Sequence, residues 1–329
     1  MISTGTESLL AYRYLKGIGK KYLNELAVSV EETKQSIESC FGAGRFGAVF
    51  SPEEMEAAFA KAREQISISI SFGHTIISRL DEQYPQSLRV VPDAPPILFC
   101  AGNIDLLHKD GITIIGTREP TEHGATIAEK VTKWFSDNNW VITSGLAKGI
   151  DTIAHQSCLK AGGETIAVLA HGLEKVYPAQ NKELASNILK SNGLLVTEYN
   201  YNSFVGRSNF VERDKIQAAL AKAVVLVQSD LVGGSLHASR AIIEYKRYLV
   251  VVGQSNRDIS HGESKILANM LLTNGSPEDK CKLLKAKESH LENVLLLRDK
   301  SYFSEISQQV KAVNFNCSQV DVNTNIHLF

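Results

Sequence analysis

Residues 112–124 read ITIIGTREPTEHG. A short run of β-branched, mostly apolar residues stops at Gly116, passes Thr117 and Arg118, and turns polar. A buried strand ending in a glycine, a hydroxyl and an arginine can bring backbone N–H groups and a cation to a phosphate. Runs of the same texture recur downstream: WVITSG, ETIAVLA, GLLVTEY, AVVLVQ and YLVVVG. Between most of them lie helical patterns: GATIAEKVTKWFSDNN, AHQSCLKAGG, NKELASNILKSNG and SLHASRAIIEYKR. Near-continuous apolar strands alternating with helices imply a parallel sheet covered on both faces. The expected class is therefore α/β, a Rossmann-like, doubly wound, mostly parallel sheet with ligands at the carboxyl ends of its strands.

Upstream, residues 1 to about 70 read as short helices: SLLAYRYL, KKYLNELA, VEETKQSIESCF and SPEEMEAAFAKAREQI. Apolar residues recur in them at three- and four-residue spacing. Ser51, Pro52 and Glu54 give the last of these a strong start signal. The segment LKGIGKKYL, Leu15 to Leu23, fits either a helix-hairpin-helix turn that offers N–H groups to a phosphate or an ordinary turn between helices. The connector DEQYPQSLRVVPDAPPILFCAGNIDLL carries Pro92, Pro95 and Pro96, which oppose regular helix. Beyond about residue 276 the alternation decays. CKLLKAKESHLENVLLLRDK suits one charged amphipathic helix, and VNFNCSQVDVNTNIHLF has no clear period. The expected division is an N-terminal helical segment (1–72), an extended Rossmann-like segment (73–275) and a C-terminal tail or small appendage without a clear winged helix (276–329).

The chain of 329 residues is 43% hydrophobic, enough for a sizeable core, and its 35 basic and 36 acidic side chains give a net charge of −1. That balance argues against a protein coated in positive charge but leaves room for a local basic groove. The five cysteines, Cys40, Cys100, Cys158, Cys281 and Cys317, form no C-x-x-C pair, which disfavours a disulfide framework or structural zinc. No signal-peptide pattern and no membrane-length apolar run is present, so a reducing cytoplasm is expected.

The strand ends are most informative as a set. They supply Gly116-Thr117-Arg118, then TSGLAKGID with Ser144, Gly145, Lys148 and Asp151. AHGLEKVYPAQN follows with Gly172, Lys175, Tyr177, Pro178 and Asn181, then Glu198-Tyr199 and DLVGGSLHASR. Neither G-x-G-x-x-G after the first strand nor a Walker sequence is present, which weakens dinucleotide and ATP readings. Neither H-E-x-x-H nor G-x-S-x-G occurs. Asp151 and His155 are spaced for a pair on one helix face, but an aspartate bonded to backbone donors and a packed histidine explain them more simply. His171 and His237 read as surface or packing residues, and no metal or cofactor is expected. The segment YNYNSFVGRSNFVERDK, Tyr199 to Lys215, reads as a loop interleaving aromatics with Arg207, Arg213 and Lys215. Stacking surfaces among cations suit a single strand of nucleic acid, although covering a core would use the same aromatics.

In their order, YPQSLRVVPDAPPILFCAGNIDLL, IIGTRE, TSGLAKGIDTIAH, GGETIAVLAHGLEKVYPAQNKEL, GLLVTEY, NFVERDKI and GGSLHASRA resemble the DNA-processing protein A (DprA, or Smf) family from Tyr84 to about Asn269. The resemblance implies single-stranded DNA bound in a basic pocket of the Rossmann-like part, without catalytic turnover. It also implies loading of a RecA-type recombinase in natural transformation, and a homodimer. Carried over by position, Arg118 is the phosphate-contacting motif arginine and Gly116 and Thr117 shape its turn. Ser144, Gly145 and Lys148 match the second motif, and Lys175 lies in the G-L-x-x-x-Y-P-x-x-N loop. Asn209, Phe210, Arg213 and Lys215 match an aromatic-basic segment, Phe210 being the base-stacking residue. The chain departs from the family at Thr117 for serine, at Val211 for proline, at GSLHA for GSLIT, and at Arg213-Asp214-Lys215 for R-N-R. An added acid facing the strand is expected to weaken phosphate binding by about 1 kcal/mol. Such divergence puts recombinase loading in question and also suits a relative on a mobile element or in a defence system.

Two other readings use the same fold. One is a nucleotide-binding sensor. The other is a nucleoside-monophosphate N-glycosidase, whose P-G-G-x-G-T-x-x-E pattern VGGSLHASRAIIE follows poorly, with Glu244 misplaced.

Overall fold

The computed structural model describes residues 2–47 and 49–315. Four helices open the chain: α1 (Thr4–Tyr12), α2 (Lys20–Thr33), α3 (Ile37–Ala43) and α4 (Pro52–Ser71). The start signal of α4 is realised as a reciprocal cap in which the Ser51 hydroxyl accepts from Glu54 N–H and the Glu54 carboxylate accepts from Ser51 N–H. One expected helix, VEETKQSIESCF, is two. Lys34 turns left-handed (φ 59°) to close α2, and the Ser36 hydroxyl caps α3, so polar end signals override a continuous apolar period.

Next come β1 (Thr75–Ser78), α5 (Gln86–Arg89) and β2 (Ile97–Gly102). The alternating region runs β3 (Gly111–Ile115), α6 (Glu122–Asp137), β4 (Val141–Ser144), α7 (Ile150–Lys160), β5 (Thr165–Val168), α8 (Lys182–Lys190) and β6 (Leu194–Thr197). It continues through α9 (Arg207–Ala219), β7 (Ala223–Leu226), α10 (Leu236–Glu244) and β8 (Tyr248–Val252). The described chain ends with α11 (Asn256–Ser260), α12 (Leu267–Asn274), α13 (Pro277–Leu284), β9 (Val294–Leu297) and α14 (Phe303–Lys311).

All nine strands form one sheet in the order β1-β2-β6-β5-β4-β3-β7-β8-β9. From β6 to β9 every pair is parallel, with Ile112 opposite Ile142 and Ile115 opposite Leu226. β1 and β2 add antiparallel pairs at one edge. From β3 the chain winds outward to β6 and then returns to β7, so the sheet is doubly wound and its direction reverses between β3 and β7. Alternate side chains feed opposite layers. Ile112, Ile114, Val225 and Val250 pack under α6, α7 and α14, whereas Val224, Leu226, Leu249 and Val251 pack under α10 and α12. The N-terminal helices share a hydrophobic cluster with Phe99, Ala167 and Leu195 of the sheet.

Three stretches differ from their sequence readings. The proline-bearing connector contains β2, because its prolines precede the strand and leave Ile97–Gly102 free to pair. The helix expected over residues 281–300 stops at left-handed Lys285 (φ 53°), and VLLL is β9 beside β8. Four apolar residues are too few to reveal a period. The expected aromatic-basic loop is helical from Arg207 onward, a helix whose exposed first turns lack an apolar stripe. Cys40, Cys100, Cys158 and Cys281 are free thiols, while Cys317 and the tail from Asn316 lie outside the described residues. Among the described residues no helix is long and apolar enough to cross a membrane.

Candidate nucleic-acid interface

The turn after β3 is built to aim one side chain. Thr117 N–H donates to Gln228 O (2.8 Å), Thr117 Oγ1 accepts from Glu119 N–H (3.2 Å), and Thr117 O accepts from Ile150 N–H (3.2 Å). The Thr117 N–H is thus taken within the protein, its hydroxyl oxygen is engaged as an acceptor, and Arg118 is left exposed. Gly149, which begins α7 at φ 74°, makes this possible, because a Cβ there would collide with the Thr117 and Arg118 carbonyls.

The turn after β4 is held from beneath. Ser144 is fully buried and its hydroxyl donates to Ile114 O (2.8 Å), so it braces the strands. Leu146 is left-handed (φ 58°), and its carbonyl accepts from Asn181 Nδ2 (2.8 Å). The Asp151 carboxylate accepts from Gly145 N–H (3.2 Å) and Ala147 N–H (3.3 Å). Arg213 reaches in from α9 and donates through Nη1 to the carbonyls of Gly145 and Val168. A Cβ on residue 145 would overlap that guanidinium, so any other residue there would have to displace Arg213.

Arg213 is buried, with Asp214 Oδ1 3.0 Å from its Nε. Burial pushes the Asp214 carboxyl up to about 7 against the pull of Arg213, and Asp151 is likewise raised by burial. Two desolvated carboxyls thus share one guanidinium. Asp214 also accepts from Gln217 Nε2 (2.9 Å) and faces this cluster, so the departure from R-N-R sits behind the cleft wall.

Above this floor lies a shallow cleft of about 40 Å³. Gly145, Ala147 and Arg213 form its base, Tyr177, Pro178 and Phe210 its walls, and Arg118 and Lys148 its rim. The Tyr177 ring meets Phe210 edge-on (centroids 6.0 Å apart), and the Arg118 guanidinium lies 5.9 Å from the Phe210 ring centre. His171 fixes the Tyr177 loop by accepting Tyr177 N–H at Nε2 (3.2 Å), which leaves Nδ1 to donate to Gly172 O (2.9 Å). Burial lowers the His171 pKa and so favours this neutral form. Among the described residues no carboxylate lies within ion-pair distance of Arg118 or Lys148.

Gly116 lies beneath the cleft, packed against Ile150. Lys175 is beside Glu174 (3.5 Å) and donates to Ser203 O (3.5 Å). Asn209 donates to Ala170 O and Phe204 O (3.2 and 3.3 Å). Lys215 leaves the group: two residues from Arg213 on a helix is about 200° of rotation, and Lys215 meets Glu212 (3.0 Å) and Asp93 (3.3 Å) there. Lys20 of the G-x-G turn is paired with Glu198 (3.3 Å) and Glu212 (3.5 Å). Ala147, Tyr177 and Pro178 enter the cleft beyond the candidate residues. For Tyr177 the signal was an aromatic before proline at a strand end. The possible Asp151–His155 pair resolves into the simpler arrangement. His155 meets Thr165 Oγ1 (2.7 Å), and burial, aided by Arg213, pulls its pKa down to about 3.

The family described as DNA recombination-mediator protein A matches residues 75–284. The chain belongs to that family. Protein Smf of Synechocystis sp. is 38% identical over 173 residues, covering 51% of this chain and 43% of that protein. DNA processing protein DprA of Streptococcus pneumoniae is 37% identical over 186 residues, covering 56% and 65% respectively. A crystal structure of DprA from Streptococcus pneumoniae superimposes with a TM-score of 0.64 at 27% identity over 82% of this chain and 98% of that one. A Helicobacter pylori DprA structure, described for its single-stranded DNA binding mode, gives 0.54 at 28% identity over 61% and 88%.

Proposed function

We propose that this chain binds single-stranded DNA across the cleft and serves as a DNA-processing and recombination mediator. The observation that carries the reading is the rim, where two exposed cations, with no carboxylate of the described residues within ion-pair distance, flank an aromatic wall. Arg118 and Lys148 contact successive phosphates in this reading, and a base stacks on Phe210. Arg213, Gly145, Ser144, Gly116 and Thr117 shape the site rather than touch the strand. The Helicobacter pylori relative, described as binding single-stranded DNA, supports the ligand class. Recombinase loading, a homodimer and a cytoplasmic, non-catalytic role in transformation belong to the same proposal. So does the division into segments 1–72, 73–275 and 276–329, the first braced on the sheet through Lys20.

An enclosed mononucleotide fits less well, because small-ligand pockets run to about 300–1,000 Å³ and this cleft is far smaller. Glu244 closes α10 at the end away from the strand tips, about 12 Å from Leu236 at 1.5 Å per residue, which disfavours a glycosidase. Fluorescence anisotropy with labelled poly-dT, against duplex and mononucleotide competitors at several salt concentrations, tests the proposal. Single-strand preference with steep salt dependence is expected. Absence of binding at low salt overturns it.

A further inference from the structure

Within the segment leading into α9, three aromatics have different fates. Tyr201 is buried edge-on against Phe99 (centroids 5.5 Å apart), and Tyr199 donates its hydroxyl to Asn209 O (3.4 Å). Phe204 is 89% exposed. Its position is fixed by the segment around it. Tyr201 N–H donates to Gln65 Oε1 (2.8 Å), Asn200 Nδ2 to Tyr14 Oη (2.6 Å), and Ser203 N–H to Asn200 O (3.3 Å). Lys175 Nζ holds Ser203 O, and Asn209 Nδ2 holds Phe204 O. Lys175 and Asn209, two of the candidate site residues, therefore direct polar atoms at the backbone that presents this ring.

The ring edge lies over Gly206, 3.5 Å from where a Cβ would stand. Gly206 begins α9 without a side-chain cap, and Phe210 follows one turn later, roughly 6 Å along the axis. An exposed aromatic thus lies over residue 206, one helical turn before the cleft's aromatic wall, at a helix end that favours negative charge.

We propose that Phe204 is a second base-stacking platform, which receives the base adjoining the one on Phe210, and that Lys175 and Asn209 are positioning residues for it. The proposal rests on the single-strand reading above and extends its footprint by one nucleotide. Stacking uses the π-face common to all bases, so this platform adds affinity with little sequence preference.

The experiment compares wild type, Phe204→Ala, Phe204→Trp and Phe210→Ala by anisotropy with a labelled thymidine mononucleotide and with poly-dT of about 16 nucleotides, the upper end of single-strand site sizes for one fold. Phe204→Ala should weaken binding of the long oligomer roughly 5- to 150-fold, the range for one lost stacked base, and leave the mononucleotide within about two-fold. Phe204→Trp should restore affinity, and its fluorescence should be quenched as DNA is added. The exposed position keeps the alanine variant folded, which its circular dichroism melt verifies. Equal affinity of wild type and Phe204→Ala for the long oligomer, with wild type binding and Phe210→Ala impaired, overturns this inference alone. Failure of wild type to bind either probe overturns the parent reading and this one together.

Discussion

Arg118 and Arg213 border the same cleft and are used in opposite ways. Arg118 is exposed, lies near an aromatic ring and has no carboxylate within ion-pair distance among the described residues. Arg213 is buried, holds two backbone carbonyls and sits between two desolvated carboxyls. A guanidinium in water is available to a mobile polyanion, whereas one enclosed by carbonyls and acids has its charge matched internally. In the proposed reading the rim makes the ligand contacts and the floor sets the geometry. Mutations at the two levels should differ in kind.

The largest effect is expected at the floor. Arg213→Ala strands buried acids and carbonyls, and should cost about 3–5 kcal/mol, read as a lower urea midpoint. If stability barely changes, the distinction between floor and rim collapses. Next is the pH response of the same buried layer. Between the unfolded His pKa of about 6.5 and the folded value of about 3, the unfolded state binds a proton at His155 that the native state does not. His155 thus contributes stability that is lost as pH falls through that window. Asp214 has the opposite sign, since its raised pKa makes the native state lose stability as pH rises from about 4 towards 7. Measured against wild type, His155→Gln should gain relative stability on acidification, and Asp214→Asn on moving to pH 8. Parallel stability curves would remove both groups from the buried layer.

At the rim, Arg118→Ala should leave the melting temperature nearly unchanged. It should weaken single-strand binding across all sequences and lower the salt slope by roughly 0.7 for one lost phosphate contact. An unchanged slope takes Arg118 out of the interface. The smallest effect is expected from Asp214→Asn on DNA affinity, under about 0.5 kcal/mol, because that carboxyl is paired with Arg213 and Gln217 and feels Arg118 less strongly than Arg213. A gain near 1 kcal/mol would mean the acid senses the strand after all.

The parallel core was legible because ITII, VITS and AVVL combine β-branched runs with glycine or polar stops, and helices of visible period separate them. The turn at Gly116 and the rim cations were legible for the same reason, since strand ends of a parallel sheet converge. Burial of Arg213 was not, because it depends on Gly145, sixty-eight positions earlier, offering a carbonyl and no Cβ. Nor was the divergence of Lys215 from Arg213, which needs the segment to be helical before their faces separate. β2 was hidden by its prolines and β9 by its brevity. The misses at Arg213, β2 and β9 are pairings between residues distant in sequence.

One pairing also shapes how the chain must be made. Gly102 of β2 lies opposite Leu194 of β6, 92 residues further on. At about 5–20 residues per second on a ribosome, β2 is synthesised some 5–20 s before its second neighbour exists. For that interval the β1–β2 hairpin has an unpaired apolar edge, and the N-terminal helices lack Ala167 and Leu195, their partners in the finished sheet. The nascent chain therefore passes through a stage at which strand-edge association competes with folding, and it leaves that stage when β6 is delivered.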